Sequence, residues 1–224
     1  MPISLSAIRF YGIDSVIDFL IFLVAILITY QSYNIYSLLK EKNYKFFSWA
    51  FLSISIAFLF KIIVNFTFFY QIQVLQTYFI NSALLEHLEF LDLVNFFSVI
   101  FYRIFLLTGF LILFLIFTKT EEKEKVILFI YLSIITVLFS IYFSFVFHLT
   151  LFLLILFLTI YFYRNYKRIR SRNSLIVFYS FLMILTANFI GFFSSLHRFF
   201  YLAYEIIIFI LFCFLLINDL HLKK

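Results

Sequence analysis

Seven apolar stretches, separated by short polar connections, take up almost all of this 224-residue chain. They are expected at roughly 15–37, 47–70, 97–118, 126–143, 145–163, 175–194 and 199–218. A helix needs about 20 largely apolar residues to cross the hydrocarbon of a bilayer. Stretches such as 145–160 are apolar on every face, which fits a helix in lipid. A barrel strand would alternate polar and apolar residues instead. The chain is 66% hydrophobic and 12% charged. Soluble domains carry about 45–50% apolar and about 25% charged residues, so a water-soluble core could not hide this much apolar surface. The sequence therefore predicts an all-α integral membrane protein, a single seven-transmembrane-helix bundle held multi-pass in the cell membrane.

The connections give the bundle a direction. Lys40, Lys42 and Lys45 follow the first stretch. Lys119, Lys123 and Lys125 follow the third, and Arg164, Lys167, Arg168, Arg170 and Arg172 follow the fifth. Lys223 and Lys224 end the chain. Together these are thirteen of the seventeen Lys and Arg residues, and only Arg9 and Arg198 fall on the other side. Short basic loops stay cytoplasmic, so the N-terminus is expected outside and the C-terminus inside. The net charge of +6 then reflects orientation and attraction to anionic headgroups, and no nucleic-acid partner is implied. Tyr33, Tyr36, Trp49, Tyr163, Tyr166 and Tyr179 form an aromatic belt at the inner boundary.

Proline occurs only at Pro2, so the stretches lack the usual helix breaker. No stretch carries a GxxxG, and packing by interdigitated Phe, Leu and Ile is expected in place of close backbone crossing. The single cysteine, Cys213, is a small apolar side chain without a disulfide partner in the chain. The first stretch is too long for a signal-peptide core and is expected to be a retained signal-anchor. Residues 71–96 alternate Leu84, Leu85, Leu88 and Leu91 with Glu86, Glu89 and Asp92. That spacing predicts an amphipathic segment on the outer surface, either a lid or an extension of the third helix.

The chain also echoes itself. Tyr33, Tyr36, Asn43, Phe51, Leu52, Ile54 and Ala57 recur as Tyr163, Tyr166, Asn173, Phe181, Leu182, Ile184 and Ala187. Lys40 and Lys42 meet Arg170 and Arg172, and Phe101-Tyr102 matches Phe200-Tyr201. Helices one to three (15–118) would then repeat as five to seven (145–218), with the fourth (126–143) as linker. An odd linker makes the two repeats parallel. In architecture the chain resembles the 3+1+3 seven-helix group that includes microbial opsins, sugar-transporting semi-SWEET relatives and receptor-like sensor domains. Opsins bind retinal through a lysine in the last helix, and sugar transporters of the group use Pro-Gln pairs. Neither feature is present here.

A polar or charged residue inside a spanning helix is costly and points to function. The candidates are Asp18, Lys61, Asn65, Arg103, Asn188 and Glu205. With the orientation above, all six fall in the outer third to half of the membrane. Lys61 and Asn65 share a helix face, and Lys61–Glu205 is the expected ion pair between neighbouring helices two and seven. These six residues are expected to line an outward-opening pocket for a small polar ligand or lipid. The competing reading is that they snorkel or pair for packing.

His87, His148 and His197 also lie on the outer side, near Glu86, Glu89 and Asp92. Seven-helix hydrolases of the alkaline-ceramidase type set histidines around zinc, but their paired histidines in the last helix are missing here. No metal, cofactor or catalytic residue is expected, and no Ser/His/Asp set or Gly-rich phosphate loop is visible. The leading expectation is a non-enzymatic receptor or sensor that takes its ligand from the outer side. It would act through a cytoplasmic protein partner at the basic loops. A small-solute transporter is the alternative, ahead of a zinc hydrolase or a structural subunit of a membrane complex.

Overall fold

The computed structural model describes residues 11–77, 82–118, 123–192 and 198–221. Among them the fold is all helical: α1 (Tyr11–Leu39), α2 (Lys42–Thr77), α3 (Ser82–Thr118), α4 (Lys123–Ser140), α5 (Ser144–Ile169), α6 (Arg172–Phe192) and α7 (Arg198–His221). Five helices carry stretches long and apolar enough to cross a membrane: Asp14–Leu39, Lys42–Gln71, Leu88–Thr118, Phe145–Ile169 and Ser174–Phe192. Shorter apolar segments, Val126–Ser140 and Ala203–Phe214, lie in α4 and α7.

The helices end where the sequence changes character, with two exceptions. α2 and α3 run well past their apolar stretches, to 36 and 37 residues. At 1.5 Å per residue each is about 55 Å long, against about 30 Å of hydrocarbon. The segment 71–96 is therefore divided between the end of α2 and the first turns of α3 and does not form a helix of its own. No Gly or Pro interrupts it. The Gln71 amide ties the two extensions by donating to Asp92 at 2.8 Å.

Consecutive helices pack in two series, α1–α2–α3 and α5–α6–α7. The series meet where α1 packs on α7 and where α3 packs on α5. α4 leans on α3 and α5 and contributes nothing to the central cluster of buried residues. That cluster runs through Ile21, Ala25 and Ile28 of α1, Ile54 of α2, Leu107 of α3, Leu151 and Ile155 of α5, Ala187 of α6 and Leu211 of α7. Serines fasten neighbouring helices through backbone carbonyls. Ser53 donates to Phe105 at 2.7 Å and Ser48 to Thr29 at 3.1 Å.

One packing expectation needs correction. α2 and α3 do approach closely, without a GxxxG. A Cβ placed on Gly109 would stand 2.9 Å from the carbonyl oxygen of Ala50. One glycine facing one alanine is enough, because the approach needs space at a single crossing.

Two turns share one geometry. Lys40 and Arg170 close α1 and α5 in the left-handed region, at φ 57° and 52°. Each donates its N–H to the carbonyl four residues back, Tyr36 and Tyr166, at 2.8 Å. The buried positions Ile21, Ala25 and Ile28 of α1 also match Leu151, Ile155 and Leu158 of α5 in spacing.

Candidate functional site

Four of the six candidate residues meet at one point, where α1, α2 and α7 converge. Asp18 and Glu205 are fully buried, and Lys61 is 8% exposed. The Lys61 ammonium donates to Oδ1 of Asp18 at 2.9 Å and to Oε1 of Glu205. Asn65, one turn along α2, donates to the other oxygen of Asp18 at 2.8 Å. The i, i+4 spacing of Lys61 and Asn65 puts both on the α2 face that looks at α1. The rings of Phe58 and Tyr204 flank the ammonium, with centroids 5.5 and 5.7 Å from Nζ. Such contacts stabilise a desolvated cation by up to about 2 kcal/mol.

Asp14 joins this group and was not anticipated. It sits one turn before Asp18 on the same face of α1 and is 5% exposed. It lies one residue outside the first expected stretch, so it read as a boundary residue. Its signal was the i, i+4 spacing to Asp18. After all these bonds, Oδ1 of Asp14 and Oε2 of Glu205 are enclosed and have no hydrogen-bond partner.

Arg103 goes elsewhere. Its guanidinium donates to the carbonyl oxygen of Ser140 at 2.6 Å and to the Ser140 hydroxyl at 3.0 Å. Ser140 is the last residue of α4. Arg103 therefore caps a helix end whose carbonyls lack intrahelical partners, and its charge complements the dipole there. The Phe147 ring lies 5.6 Å from the guanidinium carbon. The expectation that α4 runs to 143 hid this partner.

Asn188 is 3% exposed and donates to Ile184 on its own helix at 2.9 Å, leaving Oδ1 without a partner. It lines a small cavity of about 20 Å³, bounded also by Phe58, Phe110, Tyr204 and Phe212. That space holds one water-sized body. A larger apolar groove of about 340 Å³ opens between α3, α4 and α5, lined by Leu111, Phe114, Phe129, Leu132 and Phe157 among others.

Of the three histidines expected on the outer side only His148 has a described side chain, and it rests against Phe147 and Phe192. His87 and His197 lie outside the described side chains. Among the described residues no three His, Cys, Asp or Glu groups converge as a metal site would require. Comparison with family models, with curated proteins and with solved structures returns no match to this chain.

Proposed function

We propose that this chain is a seven-span sensor of the cell membrane. It would take a small polar ligand from the outer side and act through a cytoplasmic partner at the basic loops. The observation that carries this reading is Lys61, buried and shared between Asp18 of α1 and Glu205 of α7. These helices join the two series, so the ion pairs hold a seam of the bundle. Ionisable groups at hydrocarbon depth are rare and expensive. A cation held by two carboxylates is also an element whose partners a ligand can exchange, and such an exchange would move α7 relative to α1 and α2. An apolar core of Ile28, Ile54, Leu107 and Leu211 continues beyond the cluster. That favours relay over a through-path, and hence a sensor over a transporter.

The orientation rests on the basic loops. The organisation as two three-helix repeats around α4 is supported by the matched turns at Lys40 and Arg170. It is also supported by the symmetric contacts, because α1–α7 and α5–α3 exchange under the repeat. The chain carries one tryptophan and one cysteine, and these report on the relay. Trp49 lies two residues from Phe51, whose ring sits 6.2 Å from that of Phe212, next to Cys213. A fluorophore on Cys213 is therefore expected to be quenched by Trp49. Lys61→Met and Glu205→Gln, made at the outer level, are expected to change this quenching at the inner level, and Trp49→Phe supplies the blank. Variants that stay helical and keep native quenching would overturn the sensor reading.

A further inference from the structure

α4 stands against α3 and α5 without entering the core, and an apolar groove of about 340 Å³ lies between the three helices. Leu111 is buried on its inner side, while Leu132, Leu153 and Phe157 are exposed along it. Phe114 stands between Phe129 of α4 and Phe157 of α5, with ring centroids 5.2 and 6.4 Å away. Two hydroxyls line the groove, and both are already used. Ser133 donates to the carbonyl of Phe129 and Thr150 to that of Val146, each within its own helix. The walls therefore offer an occupant dispersion contacts and almost no hydrogen bonds. A polar counterpart follows along α5. Arg164 and Arg168 come seven and eleven residues after Phe157, two and three turns on, so they continue the face that carries Leu153 and Phe157. Both are exposed, and the ion pairs among the described residues all belong to Lys61. At 1.5 Å per residue, Arg164 is about 10 Å along the helix from Phe157 and about 21 Å from Thr150. A lipid chain that reaches the middle of a bilayer covers about 15 Å of hydrocarbon below its phosphate. The groove thus lies at the depth of the far half of an acyl chain whose phosphate is level with Arg164 and Arg168.

We infer that the groove and the two arginines form a site for one anionic phospholipid, taken from the leaflet on the side of the basic loops. One acyl chain lies in the groove, and the phosphate sits on Arg164 and Arg168. The inference goes beyond the sensor reading and uses none of the residues of the outer cluster. Arginine suits the task because its planar fork binds phosphate through two parallel N–H bonds. Two arginines on one face, with no carboxylate paired to either among the described residues, select a lipid with net negative charge. Phosphatidylcholine fills the groove equally well, but its choline cation opposes the arginines. A free phosphate uses the arginines and leaves the groove unfilled. A second copy of the chain in the same orientation brings its own basic loops to the same level, where like charges meet. A bound chain would also tie α4 to α3 and α5, which the side chains of α4 leave apart at this depth.

The test is native mass spectrometry of the full chain in detergent, titrated with dioleoyl phosphatidylglycerol or with dioleoyl phosphatidylcholine, which has the same chains. The expected result is one saturable phosphatidylglycerol per chain, bound more tightly than phosphatidylcholine and not displaced by soluble glycerol 3-phosphate. Arg164→Gln combined with Arg168→Gln is expected to weaken its binding at least about tenfold. Lys42→Gln combined with Lys45→Gln removes the same charge from exposed positions on α2, which does not border the groove, and should leave binding nearly unchanged. Leu132→Trp, which fills the groove and keeps both arginines, is expected to abolish the saturable binding. The arginine pair is exposed and carries the test if Leu132→Trp does not fold. Equal binding of the two lipids, equal losses from the two double substitutions, or unchanged binding in folded Leu132→Trp would overturn the assignment. So would displacement by glycerol 3-phosphate, or a lipid-free dimer that Leu132→Trp dissociates.

Discussion

At the scale of single residues, the ion cluster is a compromise between costly burial and mutual satisfaction. Two charges taken out of water rarely gain net stability over apolar side chains of the same volume, but removing one partner strands the other. Lys61 has two partners, so its removal strands two. Lys61→Met is expected to lower stability by about 3–5 kcal/mol, while Lys61→Met combined with Asp18→Leu and Glu205→Met should recover most of that loss. Denaturant titration of the three forms in micelles checks this, and a harmless Lys61→Met would mean that the carboxylates are not held by the ammonium. Asp18, Lys61, Asn65 and Glu205 were legible in the sequence because a polar residue stands out in an apolar run. Asp14 was not, because a span edge hides charge in plain view. Arg103 was legible as a charge in an apolar run, but its partner was not. Ser140 becomes an acceptor only because α4 stops there, and sequence reading is weakest at helix ends.

At the scale of helices, apolar stretch and helix are different objects in this protein. The stretch records where lipid covers the chain. The helix continues until something stops it, and with no Pro after Pro2 little does. This explains why the cores of all seven helices were legible while α2 and α3 exceed expectation by several turns. It also explains how α1 and α5 end without glycine. Lys40 and Arg170 both accept a left-handed conformation, which costs an L-residue with a Cβ roughly 1–2 kcal/mol. Positive charge after the helix end is retained at the expense of backbone strain. Lys40→Gly and Arg170→Gly are each expected to raise stability by about 1 kcal/mol. If the two turns are equivalent members of a repeat, the gains should agree within measurement error in matched unfolding experiments. A gain at one turn and a loss at the other would break the equivalence.

At the scale of the whole molecule, the ring of contacts has a consequence for assembly. α1, α2 and α3 pack consecutively, as do α5, α6 and α7. The two series touch at α1–α7 and α3–α5, with α4 leaning across the second of these seams. The central core draws on both series and needs no residue from α4. The Asp18–Lys61–Glu205 cluster bridges the first of these seams by joining α1 and α2 to α7. A chain built this way should not depend on the covalent link between its halves. Expressed together as separate pieces, residues 1–121 and 122–224 are expected to insert independently and to copurify when only one carries an affinity tag. Glu205→Gln in the second piece would weaken the Lys61 bridge. Loss of one member of a buried, hydrogen-bonded charge pair costs about 2–5 kcal/mol at an interface, so recovery of the untagged piece should fall by more than about tenfold. Tyr179→Ala, an exposed ring on α6 that rests on Phe178 of the same helix, lies away from the cluster and should leave recovery nearly unchanged. Pieces that both insert but never associate would mean that the seams are too weak to hold the bundle alone. In that case α4 and its connections, and not the ion cluster, would be the element that keeps the two series together.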